Sequence, residues 1–321
     1  MKALGNFIFW FFIFLVSGNF ILLSVNYVNH QNLTALSNVV SPLPKLLTSL
    51  GKSAEASEFW QPNLTAPKNE KLPLTAKSAL SYDLTTDTML YAQDIETKRP
   101  IASLTKIMTA IVALENLDLT KTVTVTKSAA EIGEGSMGLS TGERLKIEDL
   151  MYGLILKSGN DAAETIAQTS KFGREDYLHL MNKKAEDLGL SHTRFTNPSG
   201  LQGDGEQYST AKELLVMTRY ALKIDEFAKI VATYEHDIPQ ESGHKEYVLY
   251  NETNLLTTYP GVKGVKTGFT DEAGLCLVTY LDYKGHRIIG VLLNSENRRQ
   301  EMTELLDYSL KSLGIAPPLH P

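Results

Sequence analysis

Ser103 and Lys106 stand three residues apart in Ser103-Leu104-Thr105-Lys106 and could together activate a hydroxyl group. Residues with this spacing share one face of a helix, so the lysine amine can approach the serine hydroxyl. A serine hydroxyl is a weak nucleophile until a base takes its proton, and lysine can act as that base where burial and nearby cations favour its neutral form. Exposed serine and lysine residues one helical turn apart are common, so this pattern needs support from other signals.

A second stretch, Ser158-Gly159-Asn160, follows 55 residues after Ser103 (158 − 103) and lies between two helical patterns. It could be simple helix punctuation, because glycine is frequent after a helix and asparagine before one. It could also place a hydroxyl and an amide in a loop between helices. The stretch taken alone favours the first interpretation.

A third stretch, Lys266-Thr267-Gly268, lies in a strand-like segment in which alternation puts Lys266 and Gly268 on one face. A fixed cation and a hydroxyl at a strand edge suit a carboxylate, and a glycine lets a ligand backbone approach closely. Alone, it could be an exposed strand that leads to a turn.

The three stretches occur in order, and each has the local context that a shared site needs: a helix start, an interhelix loop and a late strand. One common site explains this order better than three separate coincidences. The trio is typical of β-lactamases and penicillin-binding proteins.

Over roughly residues 75 to 312 the sequence resembles the D-alanyl-D-alanine carboxypeptidase family of low-molecular-mass penicillin-binding proteins. Four stretches carry the resemblance: Ile101-Ala102-Ser103-Leu104-Thr105-Lys106-Ile107-Met108-Thr109-Ala110, Ser158-Gly159-Asn160-Asp161-Ala162-Ala163, Phe195-Thr196-Asn197-Pro198-Ser199-Gly200-Leu201 and Gly264-Val265-Lys266-Thr267-Gly268-Phe269-Thr270. The resemblance implies a β-lactamase/transpeptidase-like fold. It also implies a peptidoglycan stem peptide as substrate and β-lactam antibiotics as covalent inhibitors.

The trio and the resemblance together predict an acyl-enzyme mechanism. Lys106 takes the proton of Ser103, which attacks the carbonyl of the penultimate D-alanine. Ser158 relays a proton to the departing amine, and Asn160 orients Lys106 and the peptide. Water then hydrolyses the acyl-enzyme.

The predicted binding residues lie in the strand. Lys266 and Thr267 bind the terminal carboxylate, and Gly268 leaves room for the substrate backbone. By analogy with the family, the backbone N–H groups of Ser103 and Phe269 hold the oxyanion.

Two departures from the family pattern affect the expectations. Family members often have histidine where Ser199 stands, so a contact to the substrate is expected to differ. Many members also carry a C-terminal β-domain and a membrane-binding tail helix. In this chain the N-terminal segment is expected to supply the membrane attachment.

The elements that must position these residues predict an α/β fold: an antiparallel five-stranded sheet, assembled from both ends of the domain and flanked by helices, with a helical subdomain. Periodicity predicts strands at 77–84, 88–92, 262–268, 274–283 and 286–294. It predicts helices at 103–117, 146–156, 160–170, 174–188, 209–222 and 298–313. Because Pro100 stops any helix upstream, Ser103 is expected at or near a helix N-terminus.

The N-terminus predicts export. Phe7 to Val25 is a run of 19 uncharged residues, long enough to cross a hydrocarbon layer of about 30 Å as a helix. A cleaved signal peptide that ends at Gly18 is the alternative. We predict an anchor or signal peptide over 1–25, a flexible linker over 26–74 and the peptidase domain over 75–315. Either N-terminal interpretation places this domain on the extracytoplasmic face of the membrane.

Composition excludes several other classes. A net charge of −6, without a basic stripe, argues against nucleic-acid binding. The single cysteine, Cys276, and scattered histidines without ligand spacing predict no metal. Gly133-x-Gly135-x-x-Gly138 matches a dinucleotide fingerprint but lacks the following helix, so we predict no cofactor.

Three alternatives remain open. A β-lactamase shares the trio but needs a carboxylate for deacylation, for which Glu164, Glu175 and Glu186 are weak candidates. A D,D-endopeptidase would use the same site on a peptide cross-link. A non-catalytic binding protein would keep the fold, but it would need neither the nucleophile nor the base.

Overall fold

A computed structural model of the protein describes residues 60–65, 71–171, 173–253 and 255–320. Its strands in chain order are β1 (Ser78–Asp83), β2 (Thr88–Gln93), β3 (Thr122–Thr124), β4 (Arg144–Lys146), β5 (Glu235–Ile238), β6 (Tyr247–Tyr250), β7 (Val262–Thr270), β8 (Gly274–Tyr283) and β9 (His286–Ser295).

Helices occupy the segments between these strands and after the last one. They are α1 (Lys106–Asn116), α2 (Lys127–Ala130), α3 (Ile147–Leu156), α4 (Asn160–Gln168), α5 (Arg174–Asp187), α6 (Ala211–Ala221), α7 (Asp225–Ala232), α8 (Leu255–Thr258) and α9 (Arg298–Ser312).

One five-stranded antiparallel sheet joins the two ends of the domain, in the spatial order β2-β1-β9-β8-β7. In the centre of the sheet Leu80 of β1 lies opposite Val291 of β9 and, on its other side, opposite Ala92 of β2. The predicted sheet built from both ends of the domain is therefore confirmed. Two short ribbons, β3 with β4 and β5 with β6, lie apart from this sheet.

Alternating residues of the sheet supply two separate apolar cores. Leu292 packs with Leu306 and Leu310 of α9, whereas Val291 and Leu293 belong to the core on the other side, which includes α1 and α6. This is the period-two pattern of a sheet covered on both faces. Helix α1 is buried from Lys106 to Ala113 and lies within the second core.

The chain before α1 differs from the prediction in one detail. A 3₁₀ turn over Ala102–Thr105 precedes the α-helix, which begins at Lys106 rather than at Ser103. In a 3₁₀ turn the side chains of residues i and i+3 eclipse, which places Lys106 directly over Ser103.

Sequence periodicity did not predict the β5–β6 ribbon or helix α7. Strand β5 has only four residues, three of them polar, so it carries no clear alternation of apolar residues. Such short elements form because the surrounding domain supplies the packing.

Residues on the N-terminal side of the predicted boundary at 75 also contact the domain. The ring of Trp60 packs edge-on against Tyr82, with ring centroids 5.5 Å apart, and the Arg219 guanidinium lies 4.2 Å from the Trp60 ring. Leu72 and Leu74 pack against the core beneath α9. The predicted anchor or signal peptide over 1–25 lies outside the described residues. Among the residues that are described, every helix is too short or too polar to span a bilayer.

Candidate active site

Ser103 and Lys106 form the centre of the site. The Lys106 amine donates a hydrogen bond to the Ser103 hydroxyl at 2.9 Å. The amine is fully buried, whereas Ser103 reaches a cavity of about 340 Å³. The 3₁₀ turn thus pairs a solvent-accessible hydroxyl with a base that is shielded from water.

Lys106 is held in place by two further acceptors. Its amine donates to Asn160 Oδ1 and to the Ser199 carbonyl oxygen, each at 2.7 Å. Burial, and secondarily the charge of Lys266, holds the Lys106 pKa well below its usual range. A neutral amine can still donate its two N–H groups to Asn160 and Ser199, and its lone pair is then left to accept the proton of Ser103.

The Ser158-Gly159-Asn160 loop lies in the same cavity, between α3 and α4. Ser158 has a φ of 55°, a left-handed conformation that is uncommon for residues other than glycine. Asn160 is the first residue of α4, and its backbone N–H donates to the Gly135 carbonyl at 2.7 Å. The loop therefore separates two helices and also places Ser158 and Asn160 in the lining of the cavity that contains Ser103.

The Lys266-Thr267-Gly268 segment lies in β7, at the edge of the five-stranded sheet. Lys266 is 1% exposed, and its amine donates to the Thr267 carbonyl oxygen at 3.1 Å. Burial lowers the Lys266 pKa to about 7. Thr267, Gly268 and Phe269 line the cavity, and the Phe269 side chain is 57% exposed at its mouth.

Two glycines allow close packing around the turn that carries Ser103. A Cβ on Gly268 would lie 3.0 Å from the Ile101 carbonyl oxygen, and one on Gly200 would lie 2.0 Å from that of Ala102. Gly200 also has a φ of 89°, which favours glycine. Both glycines therefore lie against the backbone that leads into Ser103.

The glycine-rich loop over 133–138 has a structural role. The buried Asp161 carboxylate accepts hydrogen bonds from the backbone N–H groups of Met137, Gly138 and Leu139, at 3.0, 3.0 and 2.8 Å. It also accepts one from the Ser136 hydroxyl at 2.5 Å. The loop therefore encloses a carboxylate of the protein itself and forms one wall of the cavity.

Sequence reasoning missed several residues of the site. Arg298 lines the cavity, and its Nη1 donates to the Gly268 carbonyl at 2.6 Å. Burial lowers the pKa of the Arg298 guanidinium. Arg298 begins α9, and no local pattern distinguishes it from Arg299. Glu252, which follows β6, also lines the cavity. The sequence around it contains no motif that would have marked it as a site residue.

Ser199 stands where family members often have histidine, and it contributes to the site through its backbone carbonyl oxygen. Its side chain is 1% exposed and its hydroxyl lies 3.3 Å from Asn197 Oδ1. The same Asn197 oxygen accepts the Gly200 N–H at 2.7 Å, which shapes the turn around the Ser199 carbonyl. Residue 199 therefore contacts Lys106 through its backbone carbonyl oxygen.

The three glutamates considered for a β-lactamase do not line the Ser103 cavity. Glu164 is 2% exposed and pairs with Arg174 at 2.8 Å. Glu175 and Glu186 are exposed on α5. Within the described residues, no group of three or more His, Cys, Asp or Glu side chains could hold a metal ion.

A serine hydroxyl in contact with a buried lysine amine, beside the edge strand of a five-stranded antiparallel sheet, is the arrangement of a serine enzyme of the β-lactamase/transpeptidase-like class. Residues 64–297 match the D-alanyl-D-alanine carboxypeptidase family of serine peptidases, and the chain belongs to this family.

Similar proteins agree with this assignment. Over 258 residues the chain is 33% identical to D-alanyl-D-alanine carboxypeptidase DacF of Bacillus subtilis (strain 168), covering 78% of this chain and 66% of that protein. The crystal structure of the Streptomyces K15 DD-transpeptidase is 31% identical with a TM-score of 0.72, covering 76% of this chain and all of that one. Penicillin-binding protein D2 of Listeria monocytogenes, in its cefotaxime-bound form, is 27% identical with a TM-score of 0.64, covering 75% of this chain and all of that one.

Proposed function

We propose that this enzyme removes the terminal D-alanine from peptidoglycan stem peptides through an acyl-enzyme on Ser103. The observation that carries the proposal is the 2.9 Å contact between the Ser103 hydroxyl and the fully buried Lys106 amine. The amine takes the hydroxyl proton while the oxygen attacks the penultimate D-alanine carbonyl. The oxyanion is stabilised by the backbone N–H groups of Ser103 and Phe269.

Collapse of the tetrahedral intermediate breaks the peptide bond. Ser158, in the same cavity, relays the proton held by Lys106 to the leaving D-alanine nitrogen, while Asn160 holds Lys106 through a 2.7 Å hydrogen bond. Water then attacks the ester: its oxygen becomes part of the carboxyl group of the shortened peptide, and one of its protons restores the Ser103 hydroxyl. The same site can accept a peptide cross-link, so endopeptidase activity is a variant of this reaction.

The terminal carboxylate is bound at the β7 wall of the cavity. Arg298 and Thr267 line this wall and supply a cation and a hydroxyl, and Lys266, which is 1% exposed, supplies positive charge from the strand next to Thr267. A carboxylate between them gains charge-assisted hydrogen bonds that a neutral C-terminus cannot form. We therefore expect the site to prefer a free D-alanine carboxylate.

β-Lactams are the proposed covalent inhibitors. A β-lactam combines an acyl group, which Ser103 can attack, with a carboxylate, which Lys266 can bind. The cefotaxime-bound Listeria structure, which shares the fold, supports this proposal. The adduct would block Ser103 until water hydrolyses it.

We also propose that the domain acts on the extracytoplasmic face of the membrane, where the cell wall is built. The support is the uncharged run from Phe7 to Val25, with Lys2 as the only charge before it. N-terminal sequencing of the mature protein from the membrane and soluble fractions distinguishes a retained anchor from a cleaved signal peptide. A mature N-terminus at residue 19, found in the soluble fraction, would contradict the retained anchor.

The test of the proposed function is labelling of the full chain with penicillin, followed by mass mapping of the adduct. We expect one adduct on Ser103, none in Ser103→Ala, and the wild-type level in Ser312→Ala, an exposed serine on α9. Circular dichroism should show that Ser103→Ala folds. Folded wild-type protein that gives no adduct and releases no D-alanine would overturn the proposal.

A further inference from the structure

Glu252 lines the Ser103 cavity, although the proposed mechanism gives it no role. It also lines a smaller cavity, of about 30 Å³, together with Thr267 and Arg298, and these two residues line the Ser103 cavity as well. Glu252 therefore faces the wall at which the terminal carboxylate of the substrate is proposed to bind. A negative charge in this place repels that carboxylate, so Glu252 acts on substrate binding.

The backbone on both sides of Glu252 is held in place by hydrogen bonds. The Glu252 N–H donates to the carbonyl of Leu156, at the end of α3, at 3.1 Å. The side chain of Asn251 donates to the Thr233 carbonyl and accepts the Thr253 N–H, each at 2.9 Å. Residues 251 and 253 are buried, whereas the Glu252 side chain is 46% exposed and reaches the cavity. The fold thus places this carboxylate in the cavity wall.

A salt bridge fixes the direction of the Glu252 side chain. Its Oε1 lies 3.3 Å from the amine of Lys157, which also lines the Ser103 cavity and directly precedes Ser158. Because both side chains are partly exposed, this pair contributes little to stability. Its consequence is positional, since it keeps a negative charge at the carboxylate-binding end of the cavity.

Several charged groups share this cavity with Glu252 or interact with it. They are Lys106 on α1, Glu134 in the glycine-rich loop, Lys157 after α3, Lys266 on β7, and Arg298 and Arg299 on α9. Burial lowers the pKa of Lys266 and of Arg298, whereas the charge of Glu252 raises both. Burial and the charge of Lys266 lower the pKa of Lys106, which Glu252 also raises. Glu252 therefore stabilises positive charge on both sides of the nucleophile's cavity.

We infer that Glu252 is a positioning residue: its carboxylate, held by Lys157, is the internal counter-ion of the cations that bind the substrate carboxylate. The inference rests on the proposed function, because it assumes that this carboxylate binds at Lys266 and Arg298. In the free enzyme Glu252 stabilises the charged form of Lys266. In the complex it opposes the incoming carboxylate. The same charge thus favours binding at high pH, where Lys266 would otherwise be neutral, and weakens it at low pH.

Glu252→Gln should therefore move the pH profile of acylation rather than simply lower it. The rate rises with pH as Lys106 loses its proton and falls as Lys266 loses its own. Without the Glu252 charge both amines lose their protons at lower pH, so both limbs should move down by about half a pH unit. Acylation should become about two- to threefold faster on the acidic limb and about twofold slower on the alkaline limb.

The experiment measures the second-order rate of penicillin acylation of the full chain by stopped flow, from about pH 5 to about pH 10. Glu252→Asp keeps the charge, so it should keep both limbs close to their wild-type positions. Glu186→Gln, an exposed change on α5, is the matched control and should leave the profile unchanged. Circular dichroism of each variant checks that it is folded.

The outcomes separate this role from the proposed function. Two profiles that cross, with Glu252→Gln faster in acid and slower in alkali, would support the counter-ion. A profile of Glu252→Gln that is unchanged, or lower at every pH with both limbs in place, would overturn it. An equal shift in Glu252→Asp would also overturn it, because the charge would not be the cause. Folded wild-type protein that forms no penicillin adduct and releases no D-alanine would overturn the proposed function itself.

Discussion

At the residue scale, the charge on Lys266 adds to burial in lowering the pKa of Lys106. Both amines are buried, and a positive charge on one disfavours protonation of the other. In the proposed mechanism Lys106 must be neutral to take the Ser103 proton, whereas Lys266 must be charged to bind a carboxylate. The proposed roles therefore require opposite charge states of two buried amines.

These opposite charge states predict the pH dependence of acylation. Because the Lys266 pKa is about 7, carboxylate binding by the free enzyme should weaken as the pH rises through that value. The second-order rate of penicillin acylation should rise with pH as Lys106 loses its proton and then fall as Lys266 loses its own. Stopped-flow acylation across the range from about pH 5 to about pH 10 measures both limbs.

Lys266→Met should change this profile in a defined direction. Removing the Lys266 charge raises the pKa of Lys106, so the ascending limb should move to higher pH. The maximum rate should fall about ten- to a hundredfold, because a charge-assisted hydrogen bond to the carboxylate is lost. Lys311→Met, an exposed control on α9, should leave the profile unchanged. An ascending limb that stays in place would contradict the coupling.

At the scale of elements, the loop that contains Gly200 fixes the turn that carries the nucleophile. Gly200→Ala would bring a Cβ within 2.0 Å of the Ala102 carbonyl and adds left-handed backbone strain. We expect a loss of about 3 kcal/mol or more in the free energy of unfolding, together with loss of acylation.

Gly203→Ala is the matched control in the same loop. Gly203 has a φ of 108°, but a Cβ added there would meet no atom within 4 Å beyond its immediate chain neighbours. Backbone strain alone should cost about 1–2 kcal/mol. Urea unfolding of both variants measures the difference, and equal losses would show that the contact with Ala102 is unimportant.

Asp161 fixes the glycine-rich loop over 133–138, which forms one wall of the Ser103 cavity. Asp161→Asn replaces one acceptor oxygen by an NH₂ group, which faces backbone N–H donors of the 136–139 segment. We expect a loss of about 2–3 kcal/mol in stability and slower acylation, because Asn160 is displaced with the loop. Asp271→Asn, in an exposed turn, is the control. Unchanged stability of Asp161→Asn would contradict this role.

At the scale of the whole molecule, the two ends of the domain are joined beside the site. The buried Glu301 carboxylate on α9 accepts the Ala76 N–H at 3.0 Å and the Thr75 hydroxyl. The same helix begins with Arg298, which lines the Ser103 cavity. The start of the sheet is thereby tied to the helix that completes the site.

Glu301→Ala should weaken this junction. The change leaves the buried Ala76 N–H without its partner and opens a small cavity, at a cost of about 2–4 kcal/mol. Glu296→Ala, an exposed change just before α9, should cost less than about 0.5 kcal/mol. Urea unfolding of the full chain distinguishes them, and similar midpoints would refute the role of the junction.

The sequence alone determined which chemistry is available. Ser103 with Lys106, Ser158 with Asn160, and Lys266 with Thr267 lie in short local patterns, and a local pattern specifies spacing on a turn or strand. The five strands of the sheet were likewise predicted from short apolar segments bounded by turn residues.

Only the tertiary structure decided how these groups act. The neutral form of Lys106 depends on burial by distant segments, and the Ser199 carbonyl, Arg298 and Glu252 enter the site from loops or helix ends without a motif. The glycine-rich loop that matched a dinucleotide fingerprint binds the carboxylate of Asp161 through its backbone N–H groups. The burial of Lys106 and the meeting of these groups in one cavity depend on contacts between residues far apart in the chain. No local pattern of residue types encodes such contacts.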